Sequence, residues 1–136
     1  MAMANPAATP MTTTSLTLDQ QRAADAWRCA QKNKTKDYAN LAKGLPALIM
    51  NSGLLQVMAF LQEEGLKERQ QHCSVVAGDM RSWLHTRFQD VPVQFEGFME
   101  ALMKADSRKF QAITVESLAW LRWLRQLAAA VNPEKP

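Results

Sequence analysis

Few residues of this 136-residue chain are of the types that carry out chemistry, and they are scattered along it. The histidines are His72 and His85, and the cysteines are Cys29 and Cys73. Their positions match neither C-x-x-C nor H-x-x-x-H, which are spacings that bind zinc. Two cysteines do not make a disulfide framework, so a reducing compartment is the simpler interpretation. We therefore expect no metal, no cofactor, and two small thiols that are buried or half-exposed.

The acidic residues could form a second kind of site, because a metal-dependent nuclease gathers two or more carboxylates around its ion. The candidates are Glu63, Glu64, Glu68, Asp79, Glu96 and Glu100. Their spacing is more typical of salt-bridged helix faces. The chain has no phosphate-binding loop, dinucleotide fingerprint or nucleophile elbow, and a cysteine nucleophile would find basic neighbours only in Arg28 and His72. The sequence therefore predicts a protein that is not an enzyme.

Basic residues are concentrated towards both ends of the chain, although the formal net charge is only +3. Residues 22–43 include six basic and two acidic residues, and 108–135 is basic again, whereas acidic residues outnumber basic ones in 63–106. The first block contains Arg22, Arg28, Lys32, Lys34, Lys36 and Lys43. Such blocks suit contacts with the phosphates of a polyanion, without an arrangement that reads bases. Solvated helix faces are the alternative interpretation.

The composition indicates that helices position these residues. Ala, Leu, Gln, Met and Lys are abundant and Val, Ile and Tyr are scarce, which favours an all-α fold, a compact bundle of five to six helices. Apolar periodicity predicts helices at about 17–33, 37–50, 54–64, 67–87, 95–103 and 107–131. Thr17 and Gln20 have the spacing of a capping box at the first helix, and Asp106-Ser107 is a candidate cap at the start of the last one. We expect a disordered tail over 1–16, without the regions of a secretory signal, a single helical domain over 17–132 and a short tail over 133–136.

The segment over residues 38–61 is rich in apolar and small residues and almost free of charge. Its pattern predicts two helices folded back on each other at 51–53, with Ser52 capping the second. Pro46 predicts a kink or a break in the first of these helices. The interruptions at Pro46 and at the turn argue against a membrane span. We expect this segment to be buried, either in the core or against a neighbouring molecule.

Four tryptophans could either stack on bases or pack in the core. Trp27, Trp83 and Trp120 fall on apolar stripes, which predicts core positions for them. Trp123 lies at the edge of the stripe of the last helix, and we expect it at an interface. A helix–turn–helix could be drawn around residues 51–53. The helix after that turn is almost wholly apolar, however, and offers nothing that could read a major groove.

Three blocks of the sequence resemble the small helical subunit of Cmr-type (type III-B) CRISPR effector complexes. They are QRAADAW at 21–27, YANLAKGLPALIMNSGLLQVMAFL at 38–61, and 110–127 with its LAWLRWLR core. The blocks follow the order of the family and span most of the chain after the predicted tail. The middle block, with its LPALI and SGL elements, is the most specific of the three, whereas 67–106 matches only in pattern.

The resemblance implies a non-catalytic structural subunit for antiviral defence in the cytoplasm, with cleavage left to other subunits and no contact with a membrane. Such proteins stack with copies of themselves beside backbone repeat subunits that carry the guide RNA. They contact the polymerase-like large subunit and help to hold target RNA. The matching blocks assign phosphate contacts with RNA to Arg22, Lys36, Lys43, Arg122 and Arg125. A helical DNA-binding regulator and a protein–protein adaptor without nucleic-acid contact are the alternatives.

Overall fold

The structure, a computed structural model, describes residues 15–133 of the chain. Within that range it is helical and contains no strand, which confirms the predicted all-α class. The six helices of this range are α1 (Leu18–Lys32), α2 (Lys36–Ser52), α3 (Leu54–Glu64), α4 (Gln71–Arg87), α5 (Phe95–Lys104) and α6 (Ser107–Val131). The tails predicted over 1–16 and 133–136 lie for the most part outside the described residues.

Helix α6 is the centre of the bundle and is 25 residues long. Helices α1 and α2 pack chiefly against α6 rather than against each other, and α4 contacts it as well. Helix α3 packs between α2 and α4, and α5 packs on α3. The broad apolar face that the sequence predicts for the last helix, with Trp120, Leu121 and Leu124 fully buried, allows α6 to contact three neighbours.

Two predicted helix starts are confirmed by hydrogen bonds between side chains and backbone amides. At α1 the backbone amide of Gln20 donates to Thr17 Oγ1 over 3.0 Å, and the amide of Thr17 donates to Gln20 Oε1 over 2.8 Å. These two bonds complete the capping box. At α6 the amide of Lys109 donates to Asp106 Oδ1 over 2.8 Å. Both caps satisfy amide groups that the first turn of a helix leaves without a partner.

Helix α2 and the turn after it differ in part from the prediction. Of the kink or break predicted at Pro46, a break does not occur, since α2 runs through Pro46 with Leu45 and Ile49 on either side buried in the core. Ser52 is the last residue of α2 and Gly53 caps α3, so the predicted cap by Ser52 is wrong. Gly53 has φ 86° and ψ 156°, a conformation essentially restricted to glycine. That conformation lets the chain pass from one helix to the next in a single residue.

The segment between α3 and α4 forms turns. The periodicity predicts that α4 begins near Lys67, but the helix begins at Gln71. The reason is local, because Arg69 has φ 69°, which is incompatible with a right-handed helix. Gly65 caps α3 and lies so close to α4 that a Cβ atom there would be 2.7 Å from the Cβ of Ser74. Glycine is therefore required where the two helices approach each other.

Within this chain the segment 38–61 is buried on one face only, so burial of the other face against a neighbouring molecule stays a prediction. One face, which includes Leu45 and Leu61, lies in the core. On the other face Met50 is 75% exposed and Phe60 is 45% exposed. Successive residues of a helix point in different directions, so the core covers only part of an apolar helix. In the described part of the chain, no helix is long and apolar enough to cross a membrane.

Two of the three tryptophans predicted for the core are confirmed there. Trp83 and Trp120 are buried. Trp27 is 46% exposed, so the prediction is wrong for this residue. The buried stripe of α1 instead contains Ala26 and Ala30. Because one residue corresponds to a rotation of about 100° in a helix, the residue after Ala26 points away from the core.

Candidate nucleic-acid interface

A groove lies between the first two turns of α2 and the last two turns of α6, and its volume is about 360 Å³. We call it the basic groove. It is lined by Lys36, Ala39, Asn40, Lys43, Arg125, Gln126, Ala129 and Asn132. Every charged residue among these eight is a cation.

Helical spacing brings the lining residues of the basic groove together. Lys36, Asn40 and Lys43 are four and three residues apart, so they lie on one face of α2. On α6 the lining residues Arg125 and Ala129 are four apart, and Asn132 follows directly after the helix. One alanine of each helix also lines the groove, and these short side chains leave room between the long basic ones.

The chemistry of the basic groove suits phosphate groups. Its three cations attract negative charge. The positive end of the α2 helix dipole adds to their field, whereas the negative end of the α6 dipole, at the opposite wall, reduces it. The side-chain amides of Asn40 and Gln126 can donate hydrogen bonds to phosphate or sugar oxygens. No aromatic side chain is among the eight lining residues, so this groove does not offer a stacking platform for bases. The arrangement fits contact with a nucleic-acid backbone that does not depend on sequence.

The structure separates the residues to which the sequence assigns RNA contacts. Lys36, Lys43 and Arg125 come together in the basic groove. Arg122 is exposed on α6 and lies one turn before Arg125, beside the groove but not among its lining residues. Arg22 is elsewhere, because its guanidinium pairs with a carboxylate inside the bundle.

Arg22 belongs to a network centred on Glu116, whose residue exposure is only 4%. The carboxylate of Glu116 accepts hydrogen bonds from Arg22 Nε over 2.7 Å and from Arg22 Nη2 over 2.9 Å. It also accepts a hydrogen bond from Trp83 Nε1 over 2.9 Å, and Arg87 Nε lies 3.5 Å away. We call these four residues the Glu116 network, and it joins α1, α4 and α6.

Opposing effects act on the pKa of Glu116. Burial raises this pKa, but the hydrogen bonds from Arg22 and Trp83, together with the charges of Arg22 and Arg87, bring it below its ordinary value. The hydrogen bond to Glu116 raises the pKa of Arg22 in turn. Both groups therefore remain charged at neutral pH, and Arg22 has a structural partner within the protein.

Sequence reasoning missed Glu116. This residue follows Ile113 by three positions and precedes Trp120 by four, so it lies on the apolar stripe of α6. Because glutamate is rarely buried without a partner, an acid on an apolar stripe was a usable signal. Its partners on α1 and α4 carry no such signal, because their own spacing is that of ordinary helix residues.

Two further carboxylates accept hydrogen bonds from tryptophans of α6. Trp120 Nε1 donates to Asp25 Oδ2 over 2.8 Å, and Trp123 Nε1 donates to Asp19 Oδ1 over 3.0 Å. Each bond crosses from α6 to α1. The indole groups thus satisfy their only polar atom while their rings pack between the helices.

Of the carboxylates predicted on salt-bridged helix faces, Glu64 forms an ion pair with the turn after α3, and the prediction is wrong for Asp79. Glu64 pairs with Lys67, whose Nζ lies 2.6 Å from Glu64 Oε2. Asp79 instead accepts a hydrogen bond from Tyr38 Oη over 2.8 Å, and burial raises the pKa of Asp79. Within residues 15–133, no three histidine, cysteine, aspartate or glutamate side chains are grouped as a metal site would need.

The two cysteines are free and buried, which confirms their assignment as small buried thiols. Burial, with a smaller effect of Asp79 and Asp25, raises the pKa of the Cys29 thiol to about 12. Burial also raises the pKa of the Cys73 thiol. Because the thiolate is the reactive form, neither cysteine is activated as a nucleophile.

A family model described as "CRISPR-associated protein (Cas_Cmr5)" matches residues 18–131 of the chain. The match runs through all six helices of the described range, the whole Glu116 network and the basic groove except for Asn132. No curated protein matches the chain.

Proposed function

Since the chain belongs to the Cas_Cmr5 family of CRISPR-associated proteins and is a subunit of a CRISPR Cmr complex, we propose that its role in that complex is to help hold target RNA. The other Cmr subunits are its partners. In this proposal, copies of the chain stack beside the backbone repeat subunits that carry the guide RNA and next to the polymerase-like large subunit. The assembly is a type III-B effector that acts in the cytoplasm in antiviral defence.

The observation that carries the RNA contact is the basic groove. Lys36, Lys43 and Arg125 come from two helices and meet in one concave site whose eight lining residues include no carboxylate. A phosphate in this site would be attracted by all three cations. Arg122 extends the basic surface along α6, so that a strand leaving the groove would meet a further cation. Arg22 does not belong to the proposed surface, because Glu116 holds its guanidinium.

The small number of cations per copy explains why stacking matters to the proposed function. Each phosphate contact with a single strand contributes about −0.7 to the slope of log affinity against log salt. One copy with a few such contacts would bind RNA only weakly at physiological salt. Copies lined up along one strand add their contacts and raise the effective concentration of each site. We therefore expect the isolated protein to bind RNA poorly and without sequence preference.

The proposed role is non-catalytic and needs no cofactor. The carboxylates that could have gathered around a metal are instead on helix surfaces or bonded to aromatic side chains, as Glu64 and Asp79 illustrate. The thiol of Cys29 has a raised pKa and is buried. Cleavage of the bound RNA therefore falls to other subunits of the complex.

The test measures target-RNA affinity of assembled Cmr complexes over a series of salt concentrations. One variant carries Lys36→Ala and Lys43→Ala, and a second carries Arg122→Ala and Arg125→Ala. We expect weaker retention of target RNA in both, and a slope that flattens by about 0.7 for each phosphate that a copy no longer binds. Circular dichroism of the free subunits should show unchanged folding, because these side chains are exposed.

The matched control carries Lys67→Ala and Lys104→Ala. Both residues are exposed cations outside the basic groove, so this variant loses the same charge without losing the groove. The control should retain the wild-type slope. If the groove variants and the control behave alike, the basic groove is only a solvated surface, and the subunit would have to be purely structural.

A further inference from the structure

A second concave surface lies where α1, the end of α4 and the beginning of α6 meet, on residues that the proposed RNA contact does not use. Its volume is about 440 Å³. We call it the arginine groove and define it by Leu18, Arg22, Arg87, Phe88, Arg108 and Val115. Glu116 also lines it, so the Glu116 network forms part of its wall.

The arginine groove has an apolar lining beside cationic side chains. Leu18 and Phe88 are half-buried, and Val115 is 57% exposed although it is a β-branched apolar residue. Arg87 and Arg108 are both exposed. Exposed apolar surface beside arginine is the composition that protein–protein contacts favour.

A phosphate chain fits this surface less well than a protein does. The carboxylate of Glu116 already occupies the guanidinium of Arg22, so fewer cations of the wall are left for an anion than the arginine count suggests. The apolar side chains gain nothing from a hydrated nucleic-acid backbone, whereas they would gain from burial against apolar groups. The surface therefore calls for a partner that presents carboxylates next to an exposed apolar side chain.

The chain itself presents such a surface on α5. Glu96, Glu100 and Met103 are four and three residues apart, so they lie on one face of that helix. All three are exposed, and Met103 is 66% exposed. The opposite face of α5, with Phe98 and Leu102, is buried. We call the three exposed residues the acidic stripe.

We propose that the arginine groove of one copy binds the acidic stripe of a second copy. The inference rests on the proposed stacking of copies and names the surfaces that would do it. Arg87 and Arg108 would pair with Glu96 and Glu100, since guanidinium and carboxylate groups form paired hydrogen bonds. Met103 would cover the apolar lining, because its flexible side chain adapts to irregular surfaces. Each copy offers both surfaces, so the contact can continue from copy to copy.

Analytical sedimentation of the full chain tests this proposal. The concentration series should reach about 1 mM, where a contact with a dissociation constant of about 1 mM is half associated. A groove variant carries Arg108→Glu and Gln111→Glu; Gln111 also lines the arginine groove, and neither residue belongs to the Glu116 network. A stripe variant carries Glu96→Lys and Glu100→Lys. We expect each variant to weaken self-association by more than about tenfold, because like charges then face each other.

The decisive arm combines all four substitutions in one chain. Groove and stripe then have opposite charges again, so self-association should return, which a general loss of folding could not produce. A control with Arg122→Glu and Arg125→Glu should associate like the wild type. A wild type that remains monomeric throughout, or a combined variant that stays dissociated, would overturn the proposal.

The same variants separate this inference from the proposed function. If both single-surface variants associate normally while the complex still retains target RNA through the basic groove, the inference fails and the proposed function stands. If the groove variant associates normally but no longer enters the Cmr complex, the arginine groove binds another subunit, and the copy-to-copy contact is wrong.

Discussion

Replacing Glu116 by alanine tests whether the Glu116 network holds α1, α4 and α6 together. The substitution removes the acceptor of three hydrogen bonds at once. It leaves the indole N–H of Trp83, a buried residue, without its partner. It also removes the nearer of the two counter-ions of Arg22, whose side chain is only 19% exposed, and leaves Asp19 at 3.5 Å as the other.

The expected loss of stability follows from these exposures. Removing one partner of a buried ion pair costs about 3–5 kcal/mol, because the remaining charge is left uncompensated. Arg22 keeps some access to water and also lies 3.5 Å from Asp19, so the lower end of this range applies. The unsatisfied N–H of Trp83 adds about 1 kcal/mol. A loss of about 4 kcal/mol is a large part of the total stability of about 5–15 kcal/mol that is usual for a domain.

Urea unfolding at pH 7, followed by circular dichroism, measures this loss. Glu116→Ala should lower the urea concentration at the unfolding midpoint. The slope of the unfolding free energy against urea concentration should not change, since the surface exposed on unfolding is nearly the same. Glu116→Gln should lose less, because an amide oxygen can still accept the hydrogen bond from Trp83. If the alanine variant loses less than about 1 kcal/mol, comparable to an exposed ion pair, the network does not hold the helices together.

The pKa of Glu116 adds a dependence on pH to the same experiment. In the folded protein this pKa lies below the ordinary value of 4.5, so at intermediate pH the unfolded chain binds a proton that the folded protein does not. The stabilisation by Glu116 is therefore complete above 4.5 and is lost as the pH falls through the lowered value. The wild type should lose stability over this acid range more steeply than Glu116→Gln, and parallel curves would contradict the ionic network.

Three glycines give further predictions for thermal and urea unfolding. Gly53→Val should cost at least about 1–3 kcal/mol, because φ 86° strains any side chain although no atom lies within 4 Å of the added Cβ. Gly44→Ala is the matched control inside α2, where a Cβ also meets open space, and it should stabilise the protein by up to about 1 kcal/mol. Gly65→Ala should cost about 1–3 kcal/mol, because its Cβ would lie 2.9 Å from the backbone nitrogen of Ser74. Wild-type stability of Gly53→Val or Gly65→Ala would show that the corresponding helix connection is built differently.

Features decided within one helical turn could be predicted from the sequence. The capping box of Thr17 and Gln20 and the cap at Asp106 depend on residues three positions apart, and both are present. At 52–53 two local rules competed, because serine is a good cap and glycine has the freer backbone. The structure follows the backbone, since only glycine reaches the conformation that this one-residue connection needs.

Features that depend on which helix lies opposite could not be predicted from the sequence. Trp27 and Trp120 have similar apolar neighbours along the chain, yet only Trp120 faces the core. The partners of Glu116 on α1 and α4 are 94 and 33 residues away in the sequence. Periodicity identifies a stripe to within about one residue, or a rotation of about 100°, and that rotation decides whether a side chain is inside or outside.

The basic residues show how this limit bears on function. Arg22, Lys43 and Arg125 were equivalent by charge and by their place in the resembling blocks. In the fold Glu116 holds the guanidinium of Arg22, whereas Lys43 and Arg125 both line the basic groove. Two cations held side by side repel each other, and a bound anion offsets that repulsion. A fold that holds such cations together is therefore stabilised when it binds an anion. For this reason the juxtaposition of cations from α2 and α6, more than the net charge of the chain, is what supports the proposed contact with RNA.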